Sequence, residues 1–263
     1  MELRGSTVLI TGATGGLGAA IARALHAEGA SLILTGRRTV VLEPLAAELK
    51  ATSVRADLSS ADDVRRLADD HSGVDAVVHN AALPASGPLD DFSIAELDRA
   101  LQVNLRAPIA LTRLLLPAMK ERGSGHHVYV SSMSAKVPTA DASLYAATKL
   151  GLRGFSQGLR PELAPLGIGV STVFPGFVRD AGMFADTGVR LPPGVGTSSP
   201  EQVAAGVVRA IVRDRGEIDV APVGVKASGV LNGLFPGLPS RIAARIEGGR
   251  VGAEMAAAQK VKR

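Results

Sequence analysis

The chain has 263 residues, 46% apolar and 21% charged, which fits a globular protein with one sizeable core. It has no cysteine, excluding disulfides, cysteine-ligated zinc and thiolate catalysis. The formal charge of +4 spreads 29 basic among 25 acidic residues without the basic-aromatic cluster of a nucleic-acid binder, and no run reaches the ~18 apolar residues of a membrane span.

Residues 6–18, STVLITGATGGLG, set the organisation of everything that follows. Val8, Leu9 and Ile10 form a β-type run that stops at Thr11-Gly12; Leu17, Ile21 and Leu25 then share a helix face. This is strand, glycine turn, helix. Free N–H groups and the positive dipole end at such a helix start attract an anion, and bare backbone at Gly12, Gly16 and Gly18 lets a pyrophosphate approach. The glycine spacing reads in two ways, as Gly12-Gly16-Gly18 or as Gly12-Gly15-Gly18.

A second strand is predicted over 31–35, ending at Gly36-Arg37-Arg38, and a helix over 40–49. A third strand near 52–56 ends at Asp57-Leu58, and Ser59 or Ser60 caps the helix that follows. The fourth strand, 74–79, is closed by Asn80-Ala81-Ala82. Ser93 and Glu96 fit a capping box at the head of a helical region to Arg122 that carries Asn104 and bends at Pro108. The fifth strand, 127–130, ends in Ser131-Ser132, a long helix covers 143–163, and the sixth strand, 167–174, runs into Pro175-Gly176. Residues 177–199, rich in Gly and Pro and carrying Phe177, Met183, Phe184 and Leu191, read as a mobile apolar flap. A helix over 201–212 and a last strand over 218–221 follow. Residues 226–263, with a helix from Ser240, form an extension of unclear role.

Strands alternating with helices predict an α/β fold: a doubly wound, mostly parallel sheet in three layers, as a single domain. Ligands of such sheets gather at the carboxyl ends of the strands, where Gly12, Gly36, Asp57, Asn80, Ser132 and Pro175 are expected. The five histidines offer no metal pattern: His126 and His127 point to opposite faces of a strand, and structural roles are expected for all of them, with no metal site.

Tyr145 and Lys149 are four residues apart in the long helix and share a face. An ammonium within ~4 to 6 Å lowers a phenol's pKa from its ordinary ~10, and Ser132 can hydrogen-bond the same substrate oxygen. Together they predict an acid/base site.

With these residues in place, the sequence resembles the short-chain dehydrogenase/reductase family, compact single-domain type, over about residues 6–180. TGATGGLG is similar to its cofactor loop, Asp57-Leu58 to its adenine-side pair, HNAA at 79–82 to its Asn-Asn-Ala-Gly element in altered form, and YAATK with an upstream Ser132 to its catalytic set. The resemblance implies Tyr145 as general acid/base, Lys149 on the nicotinamide ribose, Ser132 on the substrate oxygen and Asn104 on a water-linked proton path. It implies cofactor contacts at Gly12, Thr14, Gly16, Leu17, Gly18, Asp57, Leu58, Asn80, Ala81, Pro175, Gly176 and Val178 as well. His79, Ala82 and Asp180 depart from the family pattern.

The second strand ends without the carboxylate that would repel a 2′-phosphate; Arg37 follows, and Arg38 adds charge. NADP(H) is therefore expected over NAD(H), mainly through Arg37, with reversal by Gly36→Asp together with a neutral residue at 37. The function expected is interconversion of a carbonyl and a secondary alcohol on a small, apolar substrate. The alternatives are a nucleotide-sugar epimerase, from the second glycine spacing, and a non-catalytic NADP-sensing protein. A cytoplasmic location is expected from the absence of a signal pattern. Leu114, Leu115 and Leu116 in one helix, and Leu152, Phe155 and Leu159 in the next, exceed one buried stripe, and with the resemblance they imply a homodimer or homotetramer. Leu231, Leu234, Phe235 and Leu238 are expected to cover the substrate entrance or meet a partner subunit, with peripheral membrane contact as the alternative.

Overall fold

The computed structural model describes residues 1–191, 195–238 and 250–260. Its strands are β1 (Thr7–Thr11), β2 (Ser31–Gly36), β3 (Thr52–Arg55), β4 (Ala76–His79), β5 (Gly125–Val130), β6 (Ile168–Pro175) and β7 (Glu217–Val220). They form one sheet in the order β3-β2-β1-β4-β5-β6-β7, every pairing in it parallel. The order reverses between β1 and β4, which opens a crevice at the carboxyl ends of these strands.

The helices are α1 (Gly16–Ala27), α2 (Thr39–Glu48), α3 (Ala61–Asp70), α4 (Ile94–Leu101), α5 (Ala107–Arg122), α6 (Ser143–Leu163), α7 (Gly182–Ala185), α8 (Pro200–Val212), α9 (Val223–Leu234) and α10 (Arg250–Gln259). Buried parallel strands read as continuous apolar runs, and Val8, Leu9 and Ile10 of β1 are all fully buried. Val8 and Ile10 face α1, α2 and α8, packing with Ile21, Leu42 and Val207. Leu9 faces α3, α5 and α6, packing with Leu67, Leu111 and Leu152. Each such side chain contributes ~1.5–3 kcal/mol of burial, so the two apolar layers hold the sheet between them and fix its edge. No helix among the described residues is long and apolar enough to cross a membrane.

Local chemistry sets the helix starts. Ser60 accepts from the Asp63 N–H, and Ser93 with Glu96 and Ser199 with Gln202 form reciprocal capping boxes. Where a bend is expected at Pro108, the α-helical ladder gives way one turn earlier to a π turn at Gln102–Arg106, where the Ala107 N–H bonds to the Gln102 carbonyl. Pro108 has no N–H to give the Asn104 carbonyl, so the helical ladder rearranges ahead of it. Leu111, Leu115, Leu152 and Leu159 go into the chain's own core, and Leu114 remains exposed. The helix expected from Ser240 lies outside the described residues.

His79, which departs from the family pattern, is explained by packing. It stacks on Tyr129 with ring centroids 4.7 Å apart, and its Nε2 lies 3.3 Å from His127 Nδ1 and 3.3 Å from Thr112 Oγ1. Burial pulls His79 and His127 below the ordinary imidazole range, His127 to about 3, and His126, bonded to Ser171 on the opposite face, to about 4.

Candidate active site

The glycine turn is built by close approaches. Gly12 has a φ of +70°, and a Cβ there would sit 2.7 Å from the Ala81 Cα; at Gly18 it would sit 2.3 Å from the Gly12 carbonyl. A Cβ on Gly16 would meet the Ala181 Cβ at 2.8 Å, whereas one on Gly15 would make only an ordinary contact at 3.6 Å. Of the two spacings, Gly12-Gly16-Gly18 is therefore the one that sterics require. Asn80 secures the turn: its Nδ2 donates to the carbonyls of Thr11 and Gly12, at 3.0 and 3.2 Å. Thr11 Oγ1 in turn accepts from the N–H groups of Asn80 and Ala81.

One cavity of about 1220 Å³ runs from this turn along the sheet edge. Its walls include Gly12, Thr14, Leu17 and Gly18 of the turn, Arg37 and Arg38 after β2, Asp57 and Leu58 after β3, and Asn80 and Ala81 after β4. Ser132, Tyr145, Lys149, Pro175, Gly176 and Val178 continue the same wall. Sequence-distant strand ends thus meet as the parallel topology dictates. Gly16 does not line the cavity; it is packed against Ala181, in the segment after β6.

Arg38 donates to the Thr14 carbonyl, and Arg37 Nη1 lies 4.0 Å from the Asp57 carboxylate. Burial alone would raise the Asp57 pKa, but the hydrogen bonds from Ser59 and the nearby Arg37 and Arg99 hold it below the usual carboxylate range. The cleft fits a dinucleotide by its own chemistry. The turn presents bare backbone, the first N–H groups of the twelve-residue α1 lack intrahelical partners, and the buried Thr35 Oγ1 and Ser134 Oγ on the cavity wall have no protein partner.

Beyond the carboxyl end of β5 the chain brings Ser131 and Ser132 to the cavity, and α6 delivers Tyr145 and Lys149 one turn apart. Ser131 Oγ donates to the Lys149 carbonyl at 2.9 Å, which clamps α6 to the end of β5. Lys149 is buried, and its Nζ donates to the Val130 carbonyl at 2.9 Å. Burial pushes the ammonium down to about 8. Tyr145, half-buried and open to the cavity, is hydrogen-bonded to Ser132, which favours its charged form, but burial outweighs this and pushes the phenol up to about 12. The lowering of the phenol expected from the Lys149 charge is therefore not what this arrangement gives: Lys149 Nζ stands 5.6 Å from the Tyr145 ring centroid and spends a donor on β5.

Asn104 is fully buried but is not part of the cavity wall. Its Oδ1 accepts from the Leu83 N–H at 2.6 Å and its Nδ2 donates to the Leu83 carbonyl at 3.0 Å. The side chain thus fixes the loop after β4. Asp180 stands at a φ of +67° beside Arg179 at 3.4 Å, outside the cavity.

The sequence reading missed the far wall. Val225 and Ser228 of α9 and Val251, Gly252, Met255 and Gln259 of α10 line the same cavity as Ser132, Tyr145 and Lys149. Val251, Met255 and Gln259 recur at a four-residue spacing, the available signal in the sequence, but nothing there names what that stripe meets. Gly252 seats α10: a Cβ there would lie 3.3 Å from the Ala140 carbonyl, just ahead of Tyr145. Gln259 Oε1 is buried without a partner.

Residues 6–189 match the short chain dehydrogenase family. The chain is 38% identical to a ketoacyl reductase, HetN, of Nostoc sp. strain PCC 7120 over 83% of its own length and 79% of that protein. A short-chain dehydrogenase from Streptomyces avermitilis superposes with a TM-score of 0.76 at 30% identity, over 93% of this chain and 97% of that one. A Sphingobium yanoikuyae short-chain dehydrogenase in complex with NADPH superposes with a TM-score of 0.75 at 27% identity, over 89% and 96%. With its parallel doubly wound sheet and these likenesses, the chain belongs to the short-chain dehydrogenase/reductase family of oxidoreductases.

Proposed function

We propose that this protein is an NADP(H)-dependent reductase that interconverts a ketone and a secondary alcohol on an apolar substrate. The observation that carries the reading is that Ser132, Tyr145 and Lys149 share one cavity with the glycine turn and with Arg37 and Arg38. A sensing protein has no use for a proton donor there, and the steric demand at Gly16 rather than Gly15 disfavours the epimerase spacing.

Gly12, Gly18 and the start of α1 would hold the pyrophosphate, Asp57 and Leu58 the adenine side, and Arg37 with Arg38 the 2′-phosphate. Bound nicotinamide supplies the hydride. Ser132 holds the substrate carbonyl oxygen and orients it to the Tyr145 hydroxyl. Tyr145, protonated at neutral pH, gives its proton to that oxygen in reduction and takes it back in oxidation. The Lys149 ammonium supplies positive charge where the phenolate forms, which the ordinary repulsion of charge from a buried site would otherwise oppose. Asn104 keeps the loop from Leu83 in register, and its backbone carbonyl, which residue 108 cannot bond, is the route by which it would serve a water-linked path.

The HetN relative is named a ketoacyl reductase, and structural relatives have been solved with NADP or NADPH, in line with a reducing role. Phe177, Met183, Phe184, Val251 and Met255 line the substrate end and favour an apolar body beside the reacting carbonyl. A homodimer or homotetramer through α4, α5 and α6 belongs to the same proposal, with Leu101, Leu114 and Leu150 left exposed for it. An NADPH-coupled screen across ketones, quinones, steroids and acyl thioesters tests the function. Turnover of at least one apolar ketone class is the expected result, and failure of all four classes with tight NADPH binding would favour the sensor.

A further inference from the structure

Among the described residues, three buried side-chain oxygens on the cavity wall have no hydrogen-bond partner: Thr35 Oγ1, Ser134 Oγ and Gln259 Oε1. Thr35 lies near the end of β2 beside the dinucleotide turn, and Ser134 lies two residues beyond Ser132. Gln259 belongs to neither place. It is 4% exposed, in the last turn of α10, and follows Val251 and Met255 on one helical stripe. An unpaired amide oxygen, buried at the end of an apolar stripe and bordering a cavity, is an exception that a ligand's donor would remove.

Both ends of α10 are seated on segments next to Tyr145. A Cβ on Gly252 would lie 3.3 Å from the carbonyl of Ala140, in the loop that leads into α6. At the other end Lys260 Nζ pairs with the Asp91 carboxylate at 3.4 Å, and the adjoining Phe92 packs with Leu144 and Tyr145. The helical rise puts Gln259 about 10 Å along α10 from Gly252, with Val251 and Met255 covering the apolar stretch that leads to it. An amide oxygen only accepts, so whatever satisfies it must bring an O–H or N–H group. We propose that Gln259 is a specificity-determining residue and that the substrate is a ketone whose apolar tail carries an O–H or N–H donor for Gln259 Oε1. This rests on the reductase reading above and narrows its substrate. A site built to receive a donor rejects the analogue that lacks one, because its own buried oxygen is then left unpaired.

Medium-chain methyl ketones of stepped length, each with its terminally hydroxylated counterpart, are the probes. With NADPH the wild-type chain should favour the hydroxyketone in kcat/KM. Gln259→Met keeps the length of the side chain without the amide and should lower that preference ~10- to 100-fold, chiefly through KM. Thermal unfolding with NADP⁺, which has no hydride to give a ketone, provides a readout without turnover. There the hydroxyketone should raise the wild-type midpoint more than the plain ketone does, and should lose that advantage in Gln259→Met. Without ligand, Gln259→Met should unfold at or above the wild-type midpoint, since it removes an unpaired buried oxygen. The same preference in both chains overturns the proposal and leaves the reductase reading standing. So does a ligand-free midpoint well below wild type, which would make the amide a structural group. A hydroxyketone that stabilises only the wild-type complex, with no ketone turned over, would uphold the binding site and overturn the reductase reading. No stabilisation and no turnover with any probe would overturn both.

Discussion

Lys149 Nζ donates to the Val130 carbonyl at 2.9 Å while standing 5.6 Å from the Tyr145 ring, so the ammonium is anchored to the sheet and faces the phenol without bonding it. The two groups then titrate far apart, Lys149 near about 8 and Tyr145 near about 12, both moved by burial. Reduction needs the protonated phenol beside a charged Lys149. Its rate should be level at neutral pH and fall as Lys149 discharges above about 8. Oxidation needs the phenolate beside the same charged Lys149, so it should rise with pH up to about 8 and level off above it. Profiles of kcat/KM in both directions check this, and a fall in oxidation between about pH 7 and 9 contradicts it.

The choice of cofactor can be tested at Arg37 but not at Gly36. A Cβ on Gly36 would lie 2.6 Å from Thr14 Cγ2, so Gly36→Asp would push on the glycine turn itself. Arg37→Ala removes charge-assisted bonds worth ~1.5–3 kcal/mol, and KM for NADPH should rise ~10- to 100-fold with KM for NADH little changed. Arg38→Ala should do less to NADPH selectivity and also loosen Thr14, whose carbonyl Arg38 holds. A wild-type enzyme with the lower KM for NADH contradicts the assignment.

Acid should destabilise the fold through its buried histidines. His79, His126 and His127 are neutral in the folded chain because burial disfavours their charge, His126 titrating at about 4 and His127 at about 3. The unfolded chain binds protons from ~6.5 downward, so stability falls as pH drops below that value, by ~2 kcal/mol per histidine at pH 5. Denaturant unfolding at pH 7 and pH 5 measures the loss. His127→Val should remove about one histidine's share, and an unchanged pH dependence in that variant would count against it.

Asn104 should prove a positioning residue. Asn104→Ala leaves the Leu83 N–H and carbonyl without their partners, at ~1–3 kcal/mol each. The midpoint of thermal unfolding should drop and, because Leu83 lines the cavity, substrate KM should rise more than kcat falls. A variant of unchanged stability would remove this role.

Strand ends were legible because parallel strands need apolar runs and glycine stops, so Gly12, Gly36, Asp57, Asn80, Ser132 and Pro175 could be placed on one edge before any coordinates. Helix α6 was legible to its ends, Ser143 and Leu163, because a long helix repeats its signal every turn. The π turn was not, since its cause, a missing donor at Pro108, acts on a residue four positions away. The direction of the Tyr145 shift was also missed: sequence spacing gives the neighbouring charge but not the burial that outweighs it. The far wall was invisible because α10 reaches the cavity through tertiary packing on Ala140, and no local pattern encodes which loop a helix will meet.

The central claim is proton transfer by Tyr145. With a ketone found by the NADPH-coupled screen, Tyr145→Phe keeps the ring and its packing against Phe92 and Leu144 and removes only the hydroxyl. Single-turnover reduction should slow ~10²- to 10⁴-fold, with NADPH binding and thermal midpoint near wild type. Near-full turnover by Tyr145→Phe would contradict the account.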